Sequence, residues 1–238
     1  MIEPLFDPPP PDALGLIVLQ ADVTIEDELR RLLPAERSLL VSRVPSGADV
    51  TLETLAAMEA DLTRAASLFP HGRRFDAIGY GCTSGASVIG SERVARRIRA
   101  GTSVRTVHDP LSALVDACRA RGVKRLGLVT PYTVEVTDSL RAALLGQGVR
   151  CEPVIAFGVA EEAMVARIDA PTVIAAARSV RDDTVDAVFL SCTNLRTVGA
   201  LRALATEDGP PVWSSNLVLA AAMAGRSADP LGLFKAMT

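Results

Sequence analysis

The chain is poor in several residue types, and each shortage removes a class of function. It has two histidines, His71 and His108, and four cysteines, at positions 82, 118, 151 and 192, with no Cys-x-x-Cys spacing. The common zinc and dithiol motifs need closely spaced Cys and His, so no metal site is expected. Lysine occurs only at 124 and 235, and acidic residues outnumber basic ones 28 to 25. A net charge of −3 and a pI near 5.5 give no general attraction to nucleic acid or to an anionic membrane. No apolar run approaches the roughly 20 residues that span a bilayer, and no basic-then-apolar leader is present. A cytoplasmic protein with reduced thiols is expected.

What is present is a long apolar chain with an internal echo. At 238 residues and 49 % apolar content it can bury a large core. Phe75-Asp76-Ala77-Ile78-Gly79-Tyr80-Gly81-Cys82-Thr83-Ser84 is matched by Val185-Asp186-Ala187-Val188-Phe189-Leu190-Ser191-Cys192-Thr193-Asn194. Upstream, Leu14-Gly15-Leu16 is matched by Leu126-Gly127-Leu128, and Leu29-Arg30 by Leu140-Arg141. The offset drifts from 112 through 111 to 110, the signature of two related halves with small loop changes rather than a short solenoid repeat. Buried strands resemble one another by composition, but Asp-Ala-x-x-x-x-Cys-Thr in the same order needs a duplication.

The pattern alternates strands and helices. Strands are expected at 14–20, 38–43, 75–81, 104–107, 125–130, 151–155, 185–191 and 211–213. Helices are expected at 24–33, 51–68, 85–99, 110–121, 134–146, 170–180, 195–205 and 216–224; Asp109-Pro110 is a strong helix start. The fold class is therefore α/β, with two pseudo-symmetric lobes, each a parallel sheet flanked by helices, and the active site in the cleft between them. The expected division is an extended tail at 1–12, a first lobe of 13–121 with 213–238 carrying Cys82, and a second lobe of 122–212 carrying Cys192. Both thiols then lie at carboxyl ends of strands, where open α/β sheets build their sites.

Two thiols facing one planar intermediate can take a proton from one face and return it to the other. Alternatively, one thiolate adds to an activated double bond while its partner handles a proton. A helix following each cysteine would favour thiolate, and Thr83, Ser84, Thr193 and Asn194 would hold substrate oxygens. A lone buried cysteine is usually a small core residue, and Cys118 and Cys151 fit that description, Cys151 at the start of an inner strand. His108 precedes a helix start and is a minor candidate for the cleft. Gly79-x-Gly81-x-x-x-Gly85 has the wrong spacing for a dinucleotide loop, and no Arg follows Cys82 at the phosphatase distance.

On these residues the chain resembles the Asp/Glu racemase superfamily, in its branch of maleate cis-trans isomerases and arylmalonate decarboxylases. The resemblance runs from Leu14 to about Gly225. It is carried by Gly15-Leu16-Ile17-Val18, Gly81-Cys82-Thr83-Ser84, Thr130-Pro131-Tyr132, Phe157-Gly158-Val159 through Ala163-Met164-Val165-Ala166-Arg167, Leu190-Ser191-Cys192-Thr193-Asn194 and Ser214-Ser215-Asn216. It implies a cofactor-independent isomerase or racemase acting on a small carboxylate or amino-acid-like substrate. Cys82 and Cys192 would share acid, base or nucleophile roles, and Tyr132 would bond a substrate carboxylate. Decarboxylases of this family carry Gly at the first cysteine position, so Cys82 argues for isomerisation.

Two departures qualify the substrate. Asp22 stands where maleate isomerases have a substrate-contacting Asn, and Glu161-Glu162 falls near a second family Asn. Carboxylates there would repel a dicarboxylate and could receive a cationic amine or amidinium. The opening Leu19-Gln20-Ala21-Asp22-Val23-Thr24 resembles ectoine-utilisation proteins, which makes ectoine or a ring-opened diamino acid an alternative substrate. Asp22 could instead simply cap the helix beginning near Thr24. Two further readings are an arylmalonate-type decarboxylase and a non-catalytic small-ligand sensor. The Ala220–Ala224 stretch would permit a homodimer or higher oligomer.

Overall fold

Each half of the chain lays down four strands in the same spatial order. In the computed structural model, which describes residues 4–5 and 11–235, the first half runs β1 (Ala13–Leu19), α1 (Ile25–Leu32), β2 (Leu39–Val44), α2 (Leu52–Ala57), a 3-10 turn (Met58–Asp61), α3 (Leu62–Ser67), β3 (Phe75–Gly81), α4 (Thr83–Ile89), α5 (Ser91–Gly101), β4 (Val104–His108) and α6 (Pro110–Arg121). The second runs β5 (Arg125–Thr130), α7 (Val134–Gly146), β6 (Arg150–Ala156), α8 (Glu162–Val165), α9 (Ala170–Ser179), β7 (Ala187–Leu190), α10 (Val198–Leu204), β8 (Val212–Ser214), α11 (Ser215–Met223) and α12 (Pro230–Lys235). The sheets are ordered β2-β1-β3-β4 and β6-β5-β7-β8, all pairings parallel. Identical order in both sheets is the structural counterpart of the sequence echo.

The echoed Leu-Gly-Leu has a packing reason. In each central strand the two leucines share one face and are fully buried there under helices. The intervening glycine admits a close neighbour: a methyl group at Gly127 would sit 2.3 Å from the Val180 carbonyl at the end of α9, and one at Gly15 would sit 2.7 Å from Ile78 Cγ1.

Helix α11 ties the halves together. It leaves β8 of the second sheet but packs against α1, α6 and β3 of the first half. Leu219 and Met223 cover Gly79 so closely that a methyl there would lie 2.6 Å from Met223 Sδ. Ala220, Ala221 and Ala222 are buried by this packing, so the alanine face expected to serve oligomerisation is used inside the chain.

Several expected elements differ. The helix expected at 51–68 is interrupted by the 3-10 turn, and that at 85–99 breaks at Gly90, whose φ of 92° suits glycine. The helix after Cys192 starts only at Val198, leaving 191–197 as a loop. Cys151 begins β6, an edge strand rather than an inner one, although its side chain is buried, as is that of Cys118. Helices α8 and α12 were not expected. Most of the proline-rich tail, residues 1–3 and 6–10, lies outside the described residues. No helix among the described residues is long and apolar enough to cross a membrane.

Candidate active site

Strand β3 ends at Gly81, and Cys82 follows as the N-cap of α4. Its Sγ accepts the Gly85 N–H at 3.1 Å and lies 3.7 Å from Ser84 Oγ. Strand β7 ends at Leu190, and Cys192 follows after Ser191 with φ at 102°, a left-handed conformation costing about 1–3 kcal/mol in a non-glycine residue. Its N–H donates to Ser215 Oγ at 3.0 Å, and its sulfur is bonded by the Asn194 N–H. Ser215 Oγ also lies 2.7 Å from Thr83 Oγ1, so one hydroxyl at the head of α11 joins the two cysteine loops.

Tyr132, two residues past the end of β5, lies near both thiols. Its hydroxyl receives a bond from Ser191 Oγ at 3.4 Å, also reaches Ser84, and is close enough to feel charge on both Cys192 and Cys82. The chain's other tyrosine, Tyr80, is beside Cys82; its hydroxyl donates to Met58 Sδ at 3.7 Å and contacts the Cys82 thiol. Gly85 makes room for this pair, since a methyl there would stand 2.6 Å from Tyr80 Oη and 2.9 Å from Cys82 Sγ. Gly85→Ala is therefore expected to cost about 1–3 kcal/mol of stability and at least about tenfold in turnover, read by thermal melting and initial rates. A variant with unchanged Tm and rate would show that this contact does not fix Cys82.

Every predicted site residue is buried at this junction, with Cys82 4 % and Cys192 5 % exposed. Burial, reinforced by charge on Glu162 and Asp22, pushes the Cys82 thiol up to about 12 despite the Gly85 and Ser84 bonds. Cys192 is also raised well above the ordinary thiol value, by burial first, then by Glu162, Asp22 and Cys82. The expected thiolate bias is thus outweighed in this enclosed state. Cys192 also lacks a helix start beside it.

Other predicted residues are occupied in holding the halves together. Asp22 Oδ1 accepts the Thr24 and Ile25 N–H groups, capping α1, while Oδ2 accepts Thr193 Oγ1 at 2.9 Å. Thr193 Oγ1 also lies 3.0 Å from the Gly81 carbonyl. Asn194 Oδ1 accepts the Val23 N–H and its Nδ2 donates to the Glu162 carbonyl. Below them Glu28 of α1 accepts from Thr197 N, Val198 N, Thr197 Oγ1 and Asn216 Nδ2, capping α10 of the other half. His108 bonds Thr106 Oγ1, and its charged neighbours are Asp109, Asp116, Arg105 and Arg99 rather than the thiols.

Tyr80, Ser215 and Glu28 were not among the predicted site residues, whereas Glu162 belongs to the Glu161-Glu162 pair that the sequence marks as a departure near the substrate. Glu162 lies on a strap, residues 157–162, that bonds the end of β5 through Phe157, Gly158 and Val159 and then the 48–50 loop of the first half. Its main chain bridges to Ala48 at 2.9 Å, and its carboxyl is buried, raised to about 7 by desolvation and then by Asp22 against a bond from the Asn194 side chain.

Comparison with known proteins agrees with this geometry. The arylmalonate decarboxylase family profile matches residues 90–230, more than half of the chain. The chain belongs to that family. Among its arylmalonate decarboxylase family relatives, the maleate isomerase of Nocardia farcinica is 31 % identical over 214 residues, covering 85 % of this chain and 84 % of that protein. The arylmalonate decarboxylase of Bordetella bronchiseptica is 27 % identical, covering 85 % of each. A mutant of the Nocardia farcinica maleate cis-trans isomerase with a covalently bound succinylcysteine intermediate superposes with a TM-score of 0.79 at 29 % identity, covering 92 % of this chain and 93 % of that one. The maleate-bound isomerase variant of Pseudomonas putida S16 gives 0.78 at 27 % identity, covering 89 % and 90 %. Within the arylmalonate decarboxylase family, this chain is therefore a cysteine-based enzyme of the isomerase type.

Proposed function

We propose that this enzyme isomerises a small carboxylate at the carbon next to the carboxyl group, without a cofactor, using Cys82 and Cys192. The observation that carries the reading is the burial of both thiols just past the ends of equivalent strands, near enough to the same Tyr132 hydroxyl for charge on either to act on it. Charge on Cys82 adds to the rise of the Cys192 thiol, so ionisation of one thiol disfavours ionisation of the other.

In cis-trans isomerisation, one thiolate forms a C–S bond to the alkene carbon and the π pair moves onto the neighbouring carbon and its carboxylate. The former double bond, now single, rotates. The pair then returns, the C–S bond breaks, and thiolate and trans alkene are released. The partner thiol protonates the intermediate carbanion and takes the proton back. In racemisation, one thiolate removes the α-proton and the opposite thiol supplies one to the other face. Both schemes balance without an oxidant or co-reactant. Tyr132 and Ser84 hydroxyls, with the loop N–H groups, would steady the carboxylate that carries the developing charge. Ectoine and ring-opened diamino acids stay as alternative substrates on the strength of Asp22 and Glu162.

The test is deuterium incorporation and cis-trans conversion in D₂O, followed by NMR, on maleate, aspartate, glutamate, an arylmalonate, ectoine and ring-opened ectoine. Conversion of at least one compound that disappears in Cys82→Ala and in Cys192→Ala is expected. Turnover that survives either change would overturn the two-thiol mechanism.

A further inference from the structure

Most buried polar groups around the cysteines are satisfied, and the exceptions are informative. Asp22 spends both carboxyl oxygens on helix α1 and Thr193, and Glu28 spends both on α10 and Asn216. Glu162 differs: Oε2 is buried, on a residue only 5 % exposed, and has no hydrogen-bond partner. It is the sole carboxylate oxygen among the described residues in that condition. A second acceptor, Asn216 Oδ1, next to the Ser215 that bonds the Cys192 loop, also lacks a donor. A buried acceptor without a donor costs about 1–3 kcal/mol, and more when charged. The site therefore has an excess of acceptors.

Among the described residues, the one charge that acts on the Glu162 carboxyl is that of another acid, Asp22. Glu162 and Asp22 charges act on both thiols. The cation that acts on Asp22 is Arg43, whose guanidinium is committed to the Leu19 and Asp22 carbonyls and to Glu26 near the surface. A dianionic substrate would bring two carboxylates to a buried region that already holds two acids, one of which, Glu162, has no cation acting on it. A zwitterion would bring one carboxylate for the hydroxyl and N–H groups and donors for the unpaired acceptors.

Resting on the two-cysteine reading, we propose that Glu162 is a specificity-determining residue whose Oε2 receives a protonated nitrogen of the substrate, an ammonium or amidinium close to the reacting carbon. The substrate class is then a zwitterionic amino or amidino acid rather than a dicarboxylate. The strap fixes this choice by holding Glu162 between the Ala48 carbonyl and the Asn194 amide. A charge-assisted bond at this buried oxygen would also keep the carboxyl ionised when substrate is present.

The experiment pairs binding with exchange. Calorimetry on the Cys82→Ala/Cys192→Ala double variant compares L-2,4-diaminobutyrate with succinate, each with and without Glu162→Gln. The expected result is preference for diaminobutyrate, weakened at least tenfold by Glu162→Gln, with succinate binding unchanged or improved. Preference for succinate, no binding of either, or indifference of diaminobutyrate to Glu162→Gln would overturn the proposal. Circular dichroism establishes that each variant is folded, and Glu162→Asn supplies a second neutral side chain. In parallel, α-deuterium exchange on diaminobutyrate and maleate is followed with the cysteines intact. Cysteine-dependent exchange on maleate alone, indifferent to Glu162→Gln, leaves the two-thiol reading standing and removes this inference. Exchange that needs Glu162 but persists in both single cysteine variants does the reverse.

Discussion

Cys82→Ala and Cys192→Ala are each expected to lower kcat by about 10³-fold or more, while leaving Tm within a few degrees of the parent. The size follows from the loss of a nucleophile or general acid–base group, which other groups in a unit replace poorly. Both residues are small and their loops are held by other atoms: Ser215 bonds the Cys192 N–H, and Gly81 and Thr193 join across the halves. The double variant should be scarcely slower than either single one, because two thiols working on one substrate in sequence would form a single unit. Cys192→Gly adds a second reading. It removes the thiol and also the φ strain at 102°, so stability should rise by about 1 kcal/mol as activity vanishes. Rates near the parent in either alanine variant would assign that cysteine to the core. Alkylation offers an independent check. With Cys82 held at about 12 in the enclosed state, iodoacetamide should react slowly at neutral pH and faster as pH rises.

The largest stability effect should come from Glu28→Ala. One carboxylate of α1 satisfies two N–H groups at the start of α10, the Thr197 hydroxyl and the Asn216 amide. Removing it leaves several buried donors without an acceptor, and loss of one partner in such a buried network costs about 3–5 kcal/mol. For a chain of this size that corresponds to a Tm fall on the order of 10 °C. Glu28→Gln retains one acceptor oxygen and should lose less. Calorimetric melting decides it: a change under about 1 kcal/mol would mean that water replaces the carboxylate without penalty.

The cysteines and Glu28 differ in how visible they are from sequence. The cysteines stand out because a buried parallel strand reads as an uninterrupted apolar run, and chemistry placed at its end is conspicuous. Duplication then makes each copy evidence for the other. Strand positions are readable for the same reason, and β3 and β5 fall where the sequence pattern places them. Glu28 is not readable. It sits in Ile25-Glu26-Asp27-Glu28-Leu29-Arg30-Arg31-Leu32, which looks like an ordinary solvated helix face, and its partners lie 169 to 188 residues away. Tyr80 escapes notice because an aromatic residue inside a strand reads as core. The thiol environment is misleading for a related reason: local sequence suggests a helix start, whereas burial by the opposite half dominates. Asp22 can be read as helix cap or ligand contact, and it serves as a cap while also anchoring Thr193.

The path of α11 has a consequence for biosynthesis. The face of β3 around Gly79 is covered by Leu219 and Met223, which leave the ribosome more than a hundred residues after β3 itself. Ile25 of α1 already packs on Gly81, two residues along the same face, but the apolar patch around Gly79 waits for nearly the whole polypeptide before it is sealed. Such a delay exposes sticky surface to other nascent chains, so the yield of native enzyme should depend on translation speed and on chaperone supply.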